Sequence, residues 1–138
     1  MVLCAGYATR LYPLTLERPK ALLPVGGKPI ANYLLDRLEK LPWVKSVVLV
    51  TNQKFKQHFF SWRDTLSYGK PLDIVADPST SEANRLGAVR DLELVISSMQ
   101  LHEDLLVLAG DNLFDFALTD FAKGGLEKSR RSRSASFV

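Results

Sequence analysis

The chain has 138 residues, 46% of them hydrophobic and 24% charged, enough for one globular domain with a sizeable core. No run approaches the roughly 20 apolar residues of a membrane span, and no basic segment precedes Val2, so neither a membrane anchor nor a secretory signal is expected. The formal charge of +3 is concentrated in Lys128, Arg130, Arg131 and Arg133, while residues 1–127 carry fourteen cations against fifteen acids; this excludes a bulk nucleic-acid-binding surface and leaves any phosphate site to a few placed groups.

Short apolar runs alternate with helical patterns along the chain. Val2–Ala5 reads as a first strand. Cys4 within it is expected to be a packed core residue, and as the lone cysteine it has no internal disulfide partner, which fits a reducing, cytoplasmic setting. Pro29 suits a first helical turn, and Ile30, Leu34, Leu35, Leu38 and Leu41 recur at helical spacing. Ser46–Val50 is the second strand. Asn52 is expected to N-cap a helix over Lys54–Ser67, with Gly69 as its stop. Phe55, Phe59, Phe60 and Trp62 on that helix read as packing groups, and His58 and His102 as surface residues without metal-ligand spacing.

Leu72–Ala76 is the third strand, followed by a helix over Leu86–Met99 with Leu86, Val89, Leu92, Val95, Ile96 and Met99 on one side. Leu105–Ala109 is the fourth strand, and Asp115–Lys128 is a further helix weakened by Gly124-Gly125. Val47–Val50 and Leu105–Leu108 are continuous apolar runs, as strands covered on both faces must be. The order predicts an α/β fold: a Rossmann-like, three-layer, mostly parallel sheet with helices on both faces, incomplete at its C-terminus. Residues 1–128 form its nucleotide-binding unit. Residues 129–138 are a basic Ser/Arg tail, expected to be disordered if it ends the chain, or the start of a further strand. Ligands of such sheets sit beyond the carboxyl ends of the strands, where strand order reverses.

The first strand runs into Ala5-Gly6-Tyr7-Ala8-Thr9-Arg10-Leu11, then Pro13-Leu14-Thr15, Arg18-Pro19-Lys20, Leu23-Pro24-Val25 and Gly27-Lys28-Pro29. This is a long loop rich in turn formers and cations. Gly6 can bring backbone N–H groups near a phosphate, Arg10 offers a planar fork for phosphate oxygens, and Lys20 a compact charge. A plain connector with one glycine and stiffening prolines is the alternative. The run is neither a P-loop nor a dinucleotide fingerprint, because the later glycine positions hold Ala8 and Leu11.

As a whole the string resembles the opening of the nucleoside-diphosphate-sugar pyrophosphorylases, the sugar-1-phosphate nucleotidyltransferases. Their pattern is a strand, then Ala-Gly-x-Gly-Thr-Arg-Leu-x-Pro-Leu-Thr, Pro-Lys-x-Leu-x-Pro-Val and Lys-Pro. The resemblance runs from Leu3 to about Phe121, with Ala8 in place of one glycine, which requires Ala8 to avoid strongly positive φ. It implies that Ala5, Gly6, Tyr7, Ala8 and Thr9 bind a nucleoside triphosphate through the backbone. Arg10 and Lys20 are then catalytic cations at the reacting phosphates.

Two further segments matter. Leu108-Ala109-Gly110-Asp111 places a carboxylate at a strand end, where it either turns the chain or joins phosphate oxygens and water around Mg²⁺. The resemblance implies the metal role for Asp111, and Gly110 is expected to leave room for the ligand. Between Asp77 and Ala88, the family presents polar groups and a glycine to the nucleobase, which implicates Asn84, Leu86 and Gly87; Arg85 could reach a phosphate. A helix-entry loop with a Ser79/Glu82 capping box is the alternative.

The implied reaction is attack of a sugar 1-phosphate oxygen on the α-phosphorus of a nucleoside triphosphate, forming a nucleoside-diphosphate sugar and pyrophosphate. The expected partners are those two substrates and Mg²⁺, with no nucleic acid and no membrane; a homo-oligomer is compatible. The rival readings are a truncated or non-catalytic homologue that binds nucleotide or acts as a regulatory subunit, and a cytidylyl- or guanylyltransferase acting on another phosphorylated alcohol.

Overall fold

A computed structural model describes residues 1–135. Its centre is a parallel sheet of β1 (Val2–Leu3), β4 (Val47–Asn52), β5 (Leu72–Asp77) and β6 (Leu108–Ala109), in the order β5-β4-β1-β6. The first three strands in sequence step across the sheet one way, and β6 then returns to the other side of β1. Strand order therefore reverses at β1, where sheets of this kind bind ligands. The expected fold class holds.

β4 is buried along its whole length, and its side chains alternate between two cores. Val47 and Leu49 face α1 (Ile30–Glu39) and α2 (Lys56–Asp64), with Leu34, Leu35, Leu38, Phe59 and Trp62. Val48 and Val50 face α3 (Ala88–Met99), meeting Val95 and Met99. Both faces are thus covered, which explains why β4 is an unbroken apolar run.

The element ends depart from expectation in instructive ways. β1 and β6 keep only two residues each, because Val2 pairs with Leu108 and Leu3 with Ala109 before both chains leave the sheet. The segment after Leu23 is a small hairpin, β2 (Pro24–Val25) against β3 (Lys28–Pro29), turned by Gly26 and Gly27 at φ 56° and 87°. Pro29 closes β3, so α1 begins at Ile30. α3 starts two residues later than expected and leaves Val89 80% exposed; Asp91 takes a core-facing place instead. α4 (Leu118–Ala135) runs through Gly124-Gly125 and into the segment expected as a tail or strand start; residues 136–138 lie outside the described residues. Phe55, Phe59 and Trp62 are buried as predicted, whereas Phe60 is half-buried and stacks with Lys56 and Arg63.

Asn52 does not cap α2. It ends β4, fully buried, and joins three segments: its Nδ2 donates to Ala5 O at 2.9 Å and its Oδ1 accepts the Phe55 N–H at 2.9 Å. Both backbone partners would be unpaired without it. Asn52→Ala should therefore lower unfolding free energy by about 2–3 kcal/mol in a urea titration, with the loop after β1 becoming the first segment to exchange its amide hydrogens.

Candidate functional site

Beyond the carboxyl ends of β1 and β6 lies a cleft of about 640 Å³. Gly6, Tyr7, Ala8, Thr9 and Arg10 line one side of it, and Lys20, Asp111, Glu82 and Arg85 also contribute. The predicted Arg10, Lys20 and Asp111 are thus brought together from positions up to 101 residues apart in sequence.

The placement follows from the sheet. Cys4 N–H donates to Val50 O at 2.7 Å and Gly110 N–H to Leu3 O at 2.9 Å, so the chain segments after β1 and β6 leave the sheet side by side. A 3₁₀ turn over Thr9–Leu11 carries Arg10 into the open cleft, and a second over Lys20–Leu22, entered from the buried Pro19, aims Lys20 back across it. Lys20 Nζ donates to Asp111 Oδ2 at 2.7 Å. The two side chains are 35% and 40% exposed, so the pair adds at most about 1 kcal/mol to stability. Its significance is positional: it sets one cation and one carboxylate in contact at the mouth of the switch point. The Arg10 guanidinium has no ion-pair partner among the described residues.

Gly110 serves a different end from the one expected. A Cβ there would lie 2.2 Å from Cys4 Sγ, 2.9 Å from Val2 Cγ1 and 3.3 Å from Leu3 O. The missing side chain makes room for β1, and Asp111 is delivered to the cleft as a consequence. Cys4 is buried, and burial first, then the nearby Asp111 charge, push its thiol far up, which keeps it an inert core group.

Ala8, expected to avoid strongly positive φ, does not keep to the ordinary negative-φ regions. Ala8 sits at φ 49°, ψ 43°, the left-handed region. Its carbonyl accepts the Thr15 hydroxyl at 2.8 Å and the Leu11 N–H at 2.9 Å, and the fully buried Thr15 holds that orientation. An alanine there costs about 1–2 kcal/mol relative to glycine. Gly6, by contrast, is exposed, and a Cβ added to it would meet nothing within 4 Å, so its open side is left to the cleft.

Not every expected site residue reaches the cleft. Ala5 is buried beneath it and is used by Asn52. Tyr7 lines the cleft, but its ring packs on Phe55 and its hydroxyl shares a 3.2 Å hydrogen bond with Ser79 Oγ. The capping box is Ser81/Asn84 around a 3₁₀ turn over Glu82–Asn84, two residues on from the expected Ser79/Glu82. Asn84 Oδ1 accepts the Thr80 and Ser81 N–H groups, so its carboxamide is committed to the turn. Leu86 and Gly87 are not among the lining residues. Glu82 was not expected there: its Oε1 accepts from Arg85 Nη1 at 2.6 Å. Opposite charges three apart within a turn were the available signal.

A sequence profile described as nucleotidyl transferase matches residues 1–138. A putative mannose-1-phosphate guanyltransferase of Sulfolobus acidocaldarius is 36% identical over 124 residues, covering 89% of this chain and 32% of that protein. The UTP–glucose-1-phosphate uridylyltransferase AglF of Haloferax volcanii is 34% identical over 126 residues, 89% of this chain and 47% of its own length. The chain therefore spans a third to a half of these relatives. A putative glucose-1-phosphate thymidylyltransferase structure from Bacillus anthracis superimposes with a TM-score of 0.73 at 20% identity, over 91% of this chain and 49% of that one, and shares the fold.

Two substitutions separate strain from packing. Ala8→Gly should raise unfolding free energy by about 0.5–1 kcal/mol, the relieved strain less the added chain entropy. Gly110→Ala should lower it by about 2–3 kcal/mol through overpacking against β1. Urea midpoints of the two variants measure both.

Proposed function

The chain belongs to the nucleotidyl transferase family, and from that premise we propose that its cleft binds the triphosphate of a nucleoside triphosphate, as the nucleotide half of a sugar-1-phosphate nucleotidyltransferase. The observation that carries this reading is the convergence of Arg10, Lys20 and Asp111 at the strand-order reversal. The backbone from Gly6 to Thr9 lies along the phosphate chain. Arg10, free of protein ion-pair partners among the described residues, takes phosphate oxygens with its planar fork. Lys20 exchanges Asp111 for phosphate and steadies the charge that builds as pyrophosphate leaves the α-phosphorus. Such chemistry depends on alignment and charge neutralisation rather than on a protein nucleophile. The attacking oxygen belongs to a sugar 1-phosphate, the substrate class in the names of the two relatives.

Asp111 is the residue that would hold a divalent cation, which we take to be Mg²⁺. The donor set fits: the carboxylate is half-exposed on the cleft side, and Mg²⁺ commonly takes one or two carboxylates, with substrate phosphates and water completing its shell. No group of three or more metal-binding side chains occurs among the described residues, consistent with a cation that brings most of its ligands with the nucleotide. When bound, the cation would neutralise triphosphate oxygens. Among the described residues no helix is long and apolar enough to cross a membrane. The buried Cys4 thiol is in keeping with a reducing cytoplasm.

A second reading, nucleotide binding without turnover or a regulatory role, is favoured by Ala8, which departs from the family's glycine at a strained left-handed position of the binding loop. Calorimetric titration with GTP and UTP, run beside pyrophosphate release in the presence of mannose or glucose 1-phosphate, separates the two. Arg10→Ala and Lys20→Ala should each weaken triphosphate binding about 10- to 100-fold, with melting temperatures near that of the parent chain. Parent-like affinity in both variants would remove the proposed site.

A further inference from the structure

Two carboxyl groups outside the cleft are buried against each other. Asp77 closes β5 at 1% exposure, and Asp91 lies in the first turn of α3 at 4%. Asp77 Oδ1 accepts the Ser79 N–H at 2.6 Å. Asp77 Oδ2 and Asp91 Oδ1 are both buried with no hydrogen-bond partner among the described residues, α3 packs directly on β5, and Asp77 is close enough to help raise the Asp91 carboxyl. Neither has an ion-pair partner among the described residues. Two ionised carboxylates in contact and out of water repel strongly. A single proton between them resolves the conflict, because a protonated carboxyl donates where an ionised one only accepts.

The pair joins two segments that shape the cleft. On the β5 side, the Asp77–Ser79 turn holds the Tyr7 hydroxyl through Ser79 Oγ at 3.2 Å, and Ser79 O accepts the Gln53 N–H at 3.0 Å. On the α3 side, the Asp91 N–H donates to Gly87 O at 3.0 Å. Gly87, at φ 85°, links α3 to the turn that puts Glu82 and Arg85 in the cleft. We propose that Asp91 is a positioning residue for nucleotide binding: through one proton shared with Asp77, it pins the Gly87 end of α3 to the β5 turn that carries Ser79 and supports Tyr7. The inference rests on the nucleotide-binding reading of the cleft.

The surroundings supply no alternative neutralisation. β4 offers the neutral Asn52, in register with Asp77. The loop after β1 offers Tyr7, whose phenol burial pushes up, and the 3₁₀ turn offers Glu82, already paired with Arg85. Arg90 and Glu93 on α3 are exposed. Burial first, then Asp77, raise the Asp91 carboxyl from 3.8 to about 6. A carboxyl raised on folding contributes stability that is complete below its unfolded value and is lost as pH rises through its folded value. The window therefore runs from about pH 4 to about pH 6.

The test uses the full chain and its Asp91→Asn and Asp77→Asn variants, since a carboxamide donates like a protonated carboxyl but does not titrate. Melting temperature and affinity for GTP and UTP with Mg²⁺ are followed from about pH 4.5 to about pH 7.5. The parent should melt progressively lower up to about pH 6 and then level off, while both variants stay flat. Parent affinity should fall on the order of tenfold relative to Asp91→Asn across the window; the nucleotide's own titration is common to both and cancels in the ratio. Parallel profiles for parent and variants overturn the proposal. A melting difference with a pH-invariant affinity ratio overturns the positioning role and leaves a shared proton that is only structural. Absence of nucleotide binding in all three proteins at every pH overturns the reading of the cleft itself, a failure told apart because the melting profiles report the shared proton without any ligand.

Discussion

Everything at the candidate site depends on β1 having parallel neighbours on both sides. Val2 and Leu3 pair with Leu49 and Val50 of β4 on one edge and with Leu108 and Ala109 of β6 on the other. A strand held on both edges cannot slide or tilt independently, so the loops that follow it and β6 emerge at fixed separation. That separation lets Lys20, which reaches over from the far end of the N-terminal loop, touch Asp111. The two-residue length of β1 and β6 is part of the same geometry: shorter pairing opens the cleft deep between the strands, down to Leu3 and Cys4.

Around this frame the protein holds its N-terminal loop through buried side chains. Asn52, Thr15 and Ser79 are all buried, and each uses its side chain to hold backbone or side chain of the N-terminal loop: Ala5, Ala8 and Tyr7 respectively. Their partners leave the cleft-facing atoms of Gly6, Thr9 and Arg10 unencumbered. The strain at Ala8 is sustained by the same underlying bonds, which is how a left-handed alanine persists next to a proposed phosphate site. Rigid support beneath and free polar groups above is the arrangement a phosphate-binding loop needs, because it avoids ordering the loop at the moment of binding.

Much of this was legible in the sequence, for physical reasons that can be stated. β4 was readable because a strand covered on both faces must be apolar throughout, and α1 because Leu34, Leu35 and Leu38 meet one core. Arg10, Lys20 and Asp111 were singled out by the resemblance of their motifs to the pyrophosphorylase pattern, since by residue type alone a connector loop and a chain-turning aspartate remained open. The rest depended on contacts between distant residues. The left-handed turn at Ala8 is set by Thr15, and the need for Gly110 by Cys4. Glu82 was hidden because capping by Ser81 and Asn84, rather than by Ser79, determines which residues of that turn face the cleft. Asp91 interrupts an otherwise apolar stripe, and only its neighbour Asp77 explains why it is tolerated inside.

The crowding around Gly110 has an evolutionary corollary. Three atoms from β1 and the residue after it occupy the volume of its absent side chain: a cysteine sulfur, a valine methyl and a backbone oxygen. Trimming Cys4 would clear one of them, yet the Val2 methyl at 2.9 Å and the Leu3 oxygen at 3.3 Å would remain. No single exchange at a neighbouring position opens room for a larger residue. Drift at position 110 is therefore barred by the interior of the sheet even in a descendant that has abandoned its ligand, so persistence of this glycine in a lineage speaks for an intact β1–β6 seam rather than for retained chemistry.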